Sequence, residues 1–385
     1  IFSTLYWSFG FLRMGTTGMT AQAFGRGDER ESLLVLARAL CVALICALLM
    51  IALQGAIIWA AMALMKGDAE IKLLAKSYFS IRIYDAPATI GLFAFQGWFL
   101  GMQNARYPMW LTIFVSLLNI GFNALFVFYG GMKADGVALG TVLAQYAGLV
   151  LALLLFYRKY RHLLPHLDWQ SVLHLPSLRH FFRVNADIFI RTACLVFVFA
   201  FHTSESSGMD PLVLAANSIL LQYFHLMAYG VDGFALAAES LVGKYTGQGQ
   251  PRLLRQLIRK VFVWGIAGGM LFALAYLLAA LVPYLLMTNR PAVIETARPY
   301  VGWMAFIPLA GAVAFMYDGV YVGLTATRTM RDTMILAVFF IFLPAYYLTQ
   351  GAWGNHGLWF AFSLFMLARG LLLGAMLRRN LPVAA

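Results

Sequence analysis

Runs of about 20 apolar residues recur from one end of this 385-residue chain to the other. That is the length an α-helix needs to cross a hydrocarbon core about 30 Å thick. Spans are read near 1–24, 34–65, 78–102, 109–130, 136–157, 185–203, 212–241, 260–287, 299–324, 332–350 and 356–377, eleven in all. They are too long for barrel strands, which need about 10 residues and alternate apolar with polar. The expected class is therefore an all-α polytopic membrane protein. Composition points the same way, with 62% hydrophobic and 11% charged residues, against about 45–50% and about 25% in soluble domains. Cys41, Cys46 and Cys194 all fall inside apolar runs, with no disulfide or metal-ligand spacing. The first run lacks the basic flank and small-residue cleavage site of a signal peptide, and it opens on Ile1.

The net charge of +12 follows the loops rather than a nucleic-acid patch. Alternate loops hold 17 Lys and Arg, among them Arg26, Arg30, Arg106, the Arg158–Arg183 group, the Lys244–Lys260 group, Arg328, Arg331, Arg378 and Arg379. The other loops hold six: Lys66, Lys72, Lys76, Lys133, Arg290 and Arg298. The positive-inside rule makes the richer set cytoplasmic. The C-terminus is then inside, the lipid bilayer is the partner and no nucleic-acid binding is expected. The expected location is a bacterial inner membrane.

The chain resembles itself at an offset of 222 residues. Gly25 and Gly27 match Gly247 and Gly249; Ala75 and Tyr78 match Ala297 and Tyr300; Gly97, Gly101 and Arg106 match Gly319, Gly323 and Arg328. Arg38 matches Lys260, and Pro87 and Pro308 occupy nearly equivalent places. Paired interruptions of this kind in two halves point to a transporter's central site. The span at 185–203 has no counterpart after Ile1, so the reading is five spans against six, with the first helix of the first half absent. Restored, the chain has two six-helix lobes related by a pseudo-two-fold axis along the membrane normal. The expected domains are an N-terminal lobe at 1–157, a basic cytoplasmic linker at 158–184 and a C-terminal lobe at 185–385.

An ionisable group at membrane depth is costly and is a functional hypothesis by default. Arg13, His202, Glu239 and Arg369 lie near span ends, where snorkelling to the interface is the plainer expectation. Asp187 and Arg191, at i and i+4, share one helix face and are expected to pair. Arg82 and Asp85, at i and i+3 beside Pro87, are expected to do the same. Asp232 and Asp318 have no basic residue within four positions. A lone carboxylate in hydrocarbon is pushed towards its neutral form, which suits a proton carrier. The repeat partner of Asp318 is the neutral Gln96. Asn119 and Asn123, with Gln96, are candidates to line a polar cavity, as are Asn217, Gln145 and Gln222. His225 is a further ionisable group within a span. No Walker A loop, HExxH, GxSxG or DDxxD run is present, so neither an enzyme nor a cofactor is expected and an ion gradient must drive any transport.

The segments Gly15-Thr16-Thr17-Gly18-Met19-Thr20-Ala21-Gln22-Ala23-Phe24-Gly25, Gln96-Gly97-Trp98-Phe99-Leu100-Gly101-Met102-Gln103-Asn104-Ala105-Arg106, Asn185-Ala186-Asp187-Ile188-Phe189-Ile190-Arg191, Asp232-Gly233-Phe234-Ala235-Leu236-Ala237-Ala238-Glu239 and Asp318-Gly319 through Met330-Arg331-Asp332 carry a resemblance to the multidrug and toxic compound extrusion (MATE) family, DinF-type branch. The resemblance covers essentially the whole chain. It implies twelve helices in two lobes around a central cavity, acting as a monomer. It implies export of organic, often cationic compounds in exchange for H⁺, with Na⁺ as the alternative ion. The family's important acid in the first helix has no position in this sequence. A second acid of that lobe, carried by some relatives, falls at Asn123 here. Sodium-coupled relatives place acids in the seventh and tenth helices, which hold Asp187 and Asp318 at other depths, so no sodium site is carried over. The rival reading is a flippase for a lipid-linked or amphipathic substrate, which a cavity rich in Arg and Lys would favour.

Overall fold

The computed structural model describes residues 6–64, 69–280 and 288–381. Lys66, and the parts of the expected spans at residues 1–5, 65 and 281–287, lie outside the described residues. Every regular element among the described residues is helical. The first half holds α1 (Gly10–Gly25), α2 (Glu29–Ala52), α3 (Gln54–Leu64), α4 (Ala69–Arg82), α5 (Ala86–Gly101), α6 (Arg106–Ala124), α7 (Ala134–Tyr160) and the short α8 (Trp169–Val172). The second holds α9 (Leu175–Ser207), α10 (Pro211–Gly247), α11 (Pro251–Ala280), α12 (Pro291–Ala297), α13 (Val301–Gly323), α14 (Thr327–Leu336), α15 (Leu343–Trp353) and α16 (Asn355–Asn380). Nine helical stretches of the described residues are long and apolar enough to cross a membrane. The expected span at 78–102 is instead interrupted by a 3₁₀ turn over Ile83–Asp85, between α4 and α5. Pro87 explains the break: it has no N–H to offer the Ile83 carbonyl, which accepts from the Ala86 N–H in a tighter turn instead.

The chain divides into two compact units, Ile1–Asn185 and Ala186–Ala385. In the first, α5 is the central helix and packs against α1 and α2, while α6 packs on α7. Its core gathers Leu33, Leu36, Phe95, Trp98, Phe99 and Tyr160. The Trp98 indole donates to the Ser32 carbonyl at 2.8 Å. In the second unit α13 is central and packs against α10, α11 and α16. Its core gathers Phe224, Met227, Met316, Phe342, Trp359 and Phe362.

The 222-residue repeat is visible in how each unit is built inside. A Cβ at Gly97 would collide with the backbone carbonyl of Arg13, and one at Gly319 with that of Ala235. One turn on, a Cβ at Gly101 would lie 2.9 Å from the Thr17 oxygen, and one at Gly323 would lie 2.8 Å from the Glu239 oxygen. All four pairs are related by 222. Glycine lets two backbones approach closely, the commonest device for tight helix contact in a bilayer. The turns repeat too: Gly27 and Gly249 have φ of 73° and 63°, and Gln103 and Thr325 have φ of 58° and 53°. A left-handed Gln and Thr at matching positions mark a conserved chain path within each unit, since non-glycine residues seldom adopt it.

The segment after α7 is tied back to α2. Arg38, 3% exposed, donates to the Ser171 carbonyl at 2.9 Å and the Val172 carbonyl at 3.2 Å, and its charge meets Glu31 at 2.7 Å. Arg30 reaches the Ser171 hydroxyl at 2.8 Å and Asp168 at 3.3 Å. Asp168 caps α8 by accepting from the Gln170 N–H. The Ser171 hydroxyl first, then that N–H and the Arg30 charge, hold the Asp168 carboxyl below its usual range.

Candidate functional site

The second unit places its charges in two buried clusters. Asp318 on α13 receives Arg191 from α9 and Arg369 from α16, both through the same carboxylate oxygen. The Arg369 contact is 2.6 Å. The three residues are 4%, 6% and 1% exposed. Arg369 also lies over the rings of Phe315 and Phe365, at 5.9 and 5.4 Å, where a guanidinium is attracted by the π faces. Asp232, half-buried on α10, is close enough for its charge to act on Arg369.

The expectation of a lone Asp318 is therefore overturned. Its partners come from helices 127 and 51 residues away in sequence, so a search along its own helix could not meet them. The expected Asp187–Arg191 pair is likewise replaced. Asp187 instead accepts from Arg331 on α14 at 2.6 Å and from the Thr327 hydroxyl at 3.1 Å. Two charges on one helix face can pair, but neighbouring helices supply better-directed donors. A guanidinium fork approaching from another helix satisfies a buried carboxylate that would otherwise be strongly penalised.

Snorkelling fails for three of the four residues expected to show it. His202, Glu239 and Arg369 are 0%, 3% and 1% exposed, while Arg13 is half-buried. The His202 ring sits 4.6 Å from Trp359, edge to face. Beside it, Asn217 donates to Ser206 and Asn355, both at 2.7 Å, and accepts from the Trp359 indole at 2.9 Å. Asn217 therefore lines a packed polar knot rather than an open cavity. His225 is half-buried, 5.3 Å from the Phe199 ring.

The first unit holds one fully enclosed carboxylate among its described residues, Asp85 at 0% exposure. It pairs with Arg82, as the i, i+3 spacing predicts. The Tyr6 phenol donates to its other oxygen at 2.5 Å, and Arg82 lies over the Tyr6 ring at 5.6 Å. Nothing in the sequence marked Tyr6, because its partner is 79 residues away. Arg331 and Thr327 were missed for the same reason.

Asn119 and Asn123 form a ladder between α6 and α7. Asn123 donates to Asn119 at 3.2 Å, and Asn119 donates to the Thr141 hydroxyl at 2.8 Å. Gln96 and Gln145 are half-buried and Gln222 is exposed. The hydroxyls of Thr16 and Thr20 on α1 and of Thr89 on α5 are buried without a hydrogen-bond partner. Among the described residues no group of three or more His, Cys, Asp or Glu could hold a metal ion.

These charges sit inside helical packing, and the chemistry they display is ion pairing. Neutralising Asp318 would leave two guanidiniums without their shared partner and loosen three helices at once.

Comparison with known proteins gives consistent findings. The MatE family profile matches residues 1–125 and 188–348. The chain is 31% identical to DNA damage-inducible protein F of Escherichia coli over 375 residues, covering 96% of this chain and 80% of that protein. It is 24% identical to multidrug resistance protein NorM of Vibrio parahaemolyticus, covering 81% and 71% of the two chains. Its fold matches the MATE transporter VcmN of Vibrio cholerae in the bent form with a TM-score of 0.82, at 17% identity, over 98% of this chain and 86% of that one.

Proposed function

This chain belongs to the MatE family, and on the premise that it is a transporter rather than an enzyme we propose that it exports organic, often cationic compounds in exchange for protons. It is a multi-pass helical membrane protein of two pseudo-symmetric bundles. The reading extends to a six-helix C-terminal lobe at 185–385, an N-terminal lobe at 1–157 contributing five spans, and a cytoplasmic linker at 158–184. It places the C-terminus inside a bacterial inner membrane and takes the monomer as the working unit.

The observation that carries the mechanism is Asp318 held by guanidiniums from two other helices. A buried pair broken on one side leaves an uncompensated charge that strongly destabilises the arrangement. Proton arrival at Asp318 would therefore favour a different packing of α9, α13 and α16, which supports coupling between ion occupancy and helix arrangement. Asp232 tunes the same cluster from α10. In the first unit, Asp85 with Tyr6 and Arg82 is the matching candidate. Asp187, Arg191 and Glu239 position the C-terminal helices, and Gln96, Asn119 and Asn123 supply neutral polar contacts.

The flippase reading gains from the two arginines at depth. Both are engaged by Asp318 rather than offered to a headgroup, so the antiporter is favoured. The test is dye efflux from proteoliposomes containing the full-length protein or its Asp318→Asn variant, at matched protein incorporation. Efflux driven by a pH gradient is expected in the first and lost in the second. Unchanged efflux in the variant would remove Asp318 from the mechanism.

A further inference from the structure

The segment 158–184 carries Arg158, Lys159, Arg161, Arg179 and Arg183 against the single acid Asp168. All five basic residues are exposed, whereas Asp168 already meets Arg30. The free charge of the segment is therefore positive. Beside these charges it exposes large apolar side chains: Trp169 at 60%, Leu173 at 64% and Leu175 at 75%. Solvent-exposed leucine and tryptophan on a loop are costly in water, and tryptophan next to arginine is the signature of a membrane–water interface.

The segment is not loose. Arg30 and Arg38 grip Ser171 and the Val172 backbone from α2, and Val172 and Leu163 are fully buried beneath it. Its polar backbone is thus turned to the protein while Trp169 and Leu173, at i and i+4, stand away from it. It begins where α7 ends and runs into α9, two helices long enough to span the bilayer. Its place is consequently at a membrane face, within reach of lipid headgroups.

We infer that this strap is an interfacial anchor: Trp169, Leu173 and Leu175 enter the headgroup–acyl boundary, and the basic side chains around them bind the headgroups of anionic phospholipids. An amphipathic element of this make-up binds by apolar burial together with attraction to anionic lipid. The inference rests on the membrane-spanning reading but not on which face is cytoplasmic.

The experiment reconstitutes the full-length protein in vesicles of phosphatidylcholine alone, or of equal parts phosphatidylcholine and phosphatidylglycerol, with bromine on the upper acyl carbons. The Trp169 signal is the fluorescence difference between the native protein and its Trp169→Phe variant. Bromine is expected to quench it, and more strongly in the mixed vesicles. Replacing Arg158, Arg161, Arg179 and Arg183 by Gln should abolish the dependence of quenching on phosphatidylglycerol. Replacement by Lys should preserve it. Equal quenching in both vesicle types, or quenching of Trp169 only by aqueous iodide, would overturn the inference. If the Gln variant fails to fold, the comparison of vesicle types with the native chain still decides. Bilayers with the same lipid in both leaflets make the result independent of insertion direction and of transport.

Discussion

Removing the carboxylate of Asp318 is the most informative single perturbation of the second unit. Asp318→Asn keeps the side-chain volume and leaves Arg191 and Arg369, 6% and 1% exposed, facing a neutral group. Breaking a buried ion pair by removing one partner costs about 3–5 kcal/mol. Here one substitution strands two cations. By contrast, Arg369→Met removes one cation but leaves Asp318 with Arg191, and Met suits the apolar surroundings of Phe315 and Phe365. It should cost less than half as much. The double variant should recover part of the Asp318→Asn loss, with a coupling on the order of 1–3 kcal/mol. In a thermal-unfolding assay of the detergent-purified protein, Asp318→Asn should lower the midpoint by roughly 5 °C. Arg369→Met should fall between that and the native protein, and the double variant should melt above Asp318→Asn. An Asp318→Asn midpoint unchanged from the native protein would refute the reasoning, as would additivity in the double variant.

Other outcomes follow from the same geometry. Gly97→Val and Gly319→Val should destabilise by similar amounts, about 1–3 kcal/mol or more each, because their side chains meet equivalent carbonyls; a benign result at either site, read by thermal unfolding, would break the equivalence. Tyr6→Phe removes the phenol donated to Asp85 and should cost about 1–3 kcal/mol, measured as the same midpoint shift, with Tyr146→Phe as a control at an exposed carbonyl contact. The Asp168 carboxyl is held below its usual range, so its contribution to strap attachment is present above the unfolded value and lost as pH falls through the folded one. Protease cleavage within 158–184 should therefore stay slow from neutral pH down to about 5 and accelerate only below about 4; acceleration already near pH 6 would contradict this.

The elements that sequence could reach are those written in local spacing. The offset of 222 predicted which glycines would be equivalent, and Gly97 and Gly319 do meet equivalent carbonyls in their own units. Pro87 marked a special place, and the helix breaks there. The Arg82–Asp85 pair was legible because both residues lie within one turn. Asp187 and Arg191 show the limit of the same argument. Their spacing permits a pair, but each charge finds a partner on another helix, and in the interior the best-directed donor wins over the nearest in sequence. Asp318 stands out in the sequence as a buried acid, but its partners do not, since Arg191 and Arg369 are 127 and 51 residues away. Arg369, His202 and Glu239 were expected at the interface because hydropathy windows locate span ends without recording which face of a helix is enclosed. Tyr6 and Thr327 carry no signal in the sequence, and Arg331 reads there only as a loop charge, for a side chain's partner is known only from what the fold sets beside it.

We propose that a proton gradient drives export by this protein. The direct measurement is efflux of a cationic dye from proteoliposomes of the full-length protein, with an imposed pH gradient set against an imposed sodium gradient of equal size. Efflux driven by the pH gradient and absent with sodium alone is the predicted result. Efflux that needs sodium, or that proceeds equally with no gradient, would contradict the account.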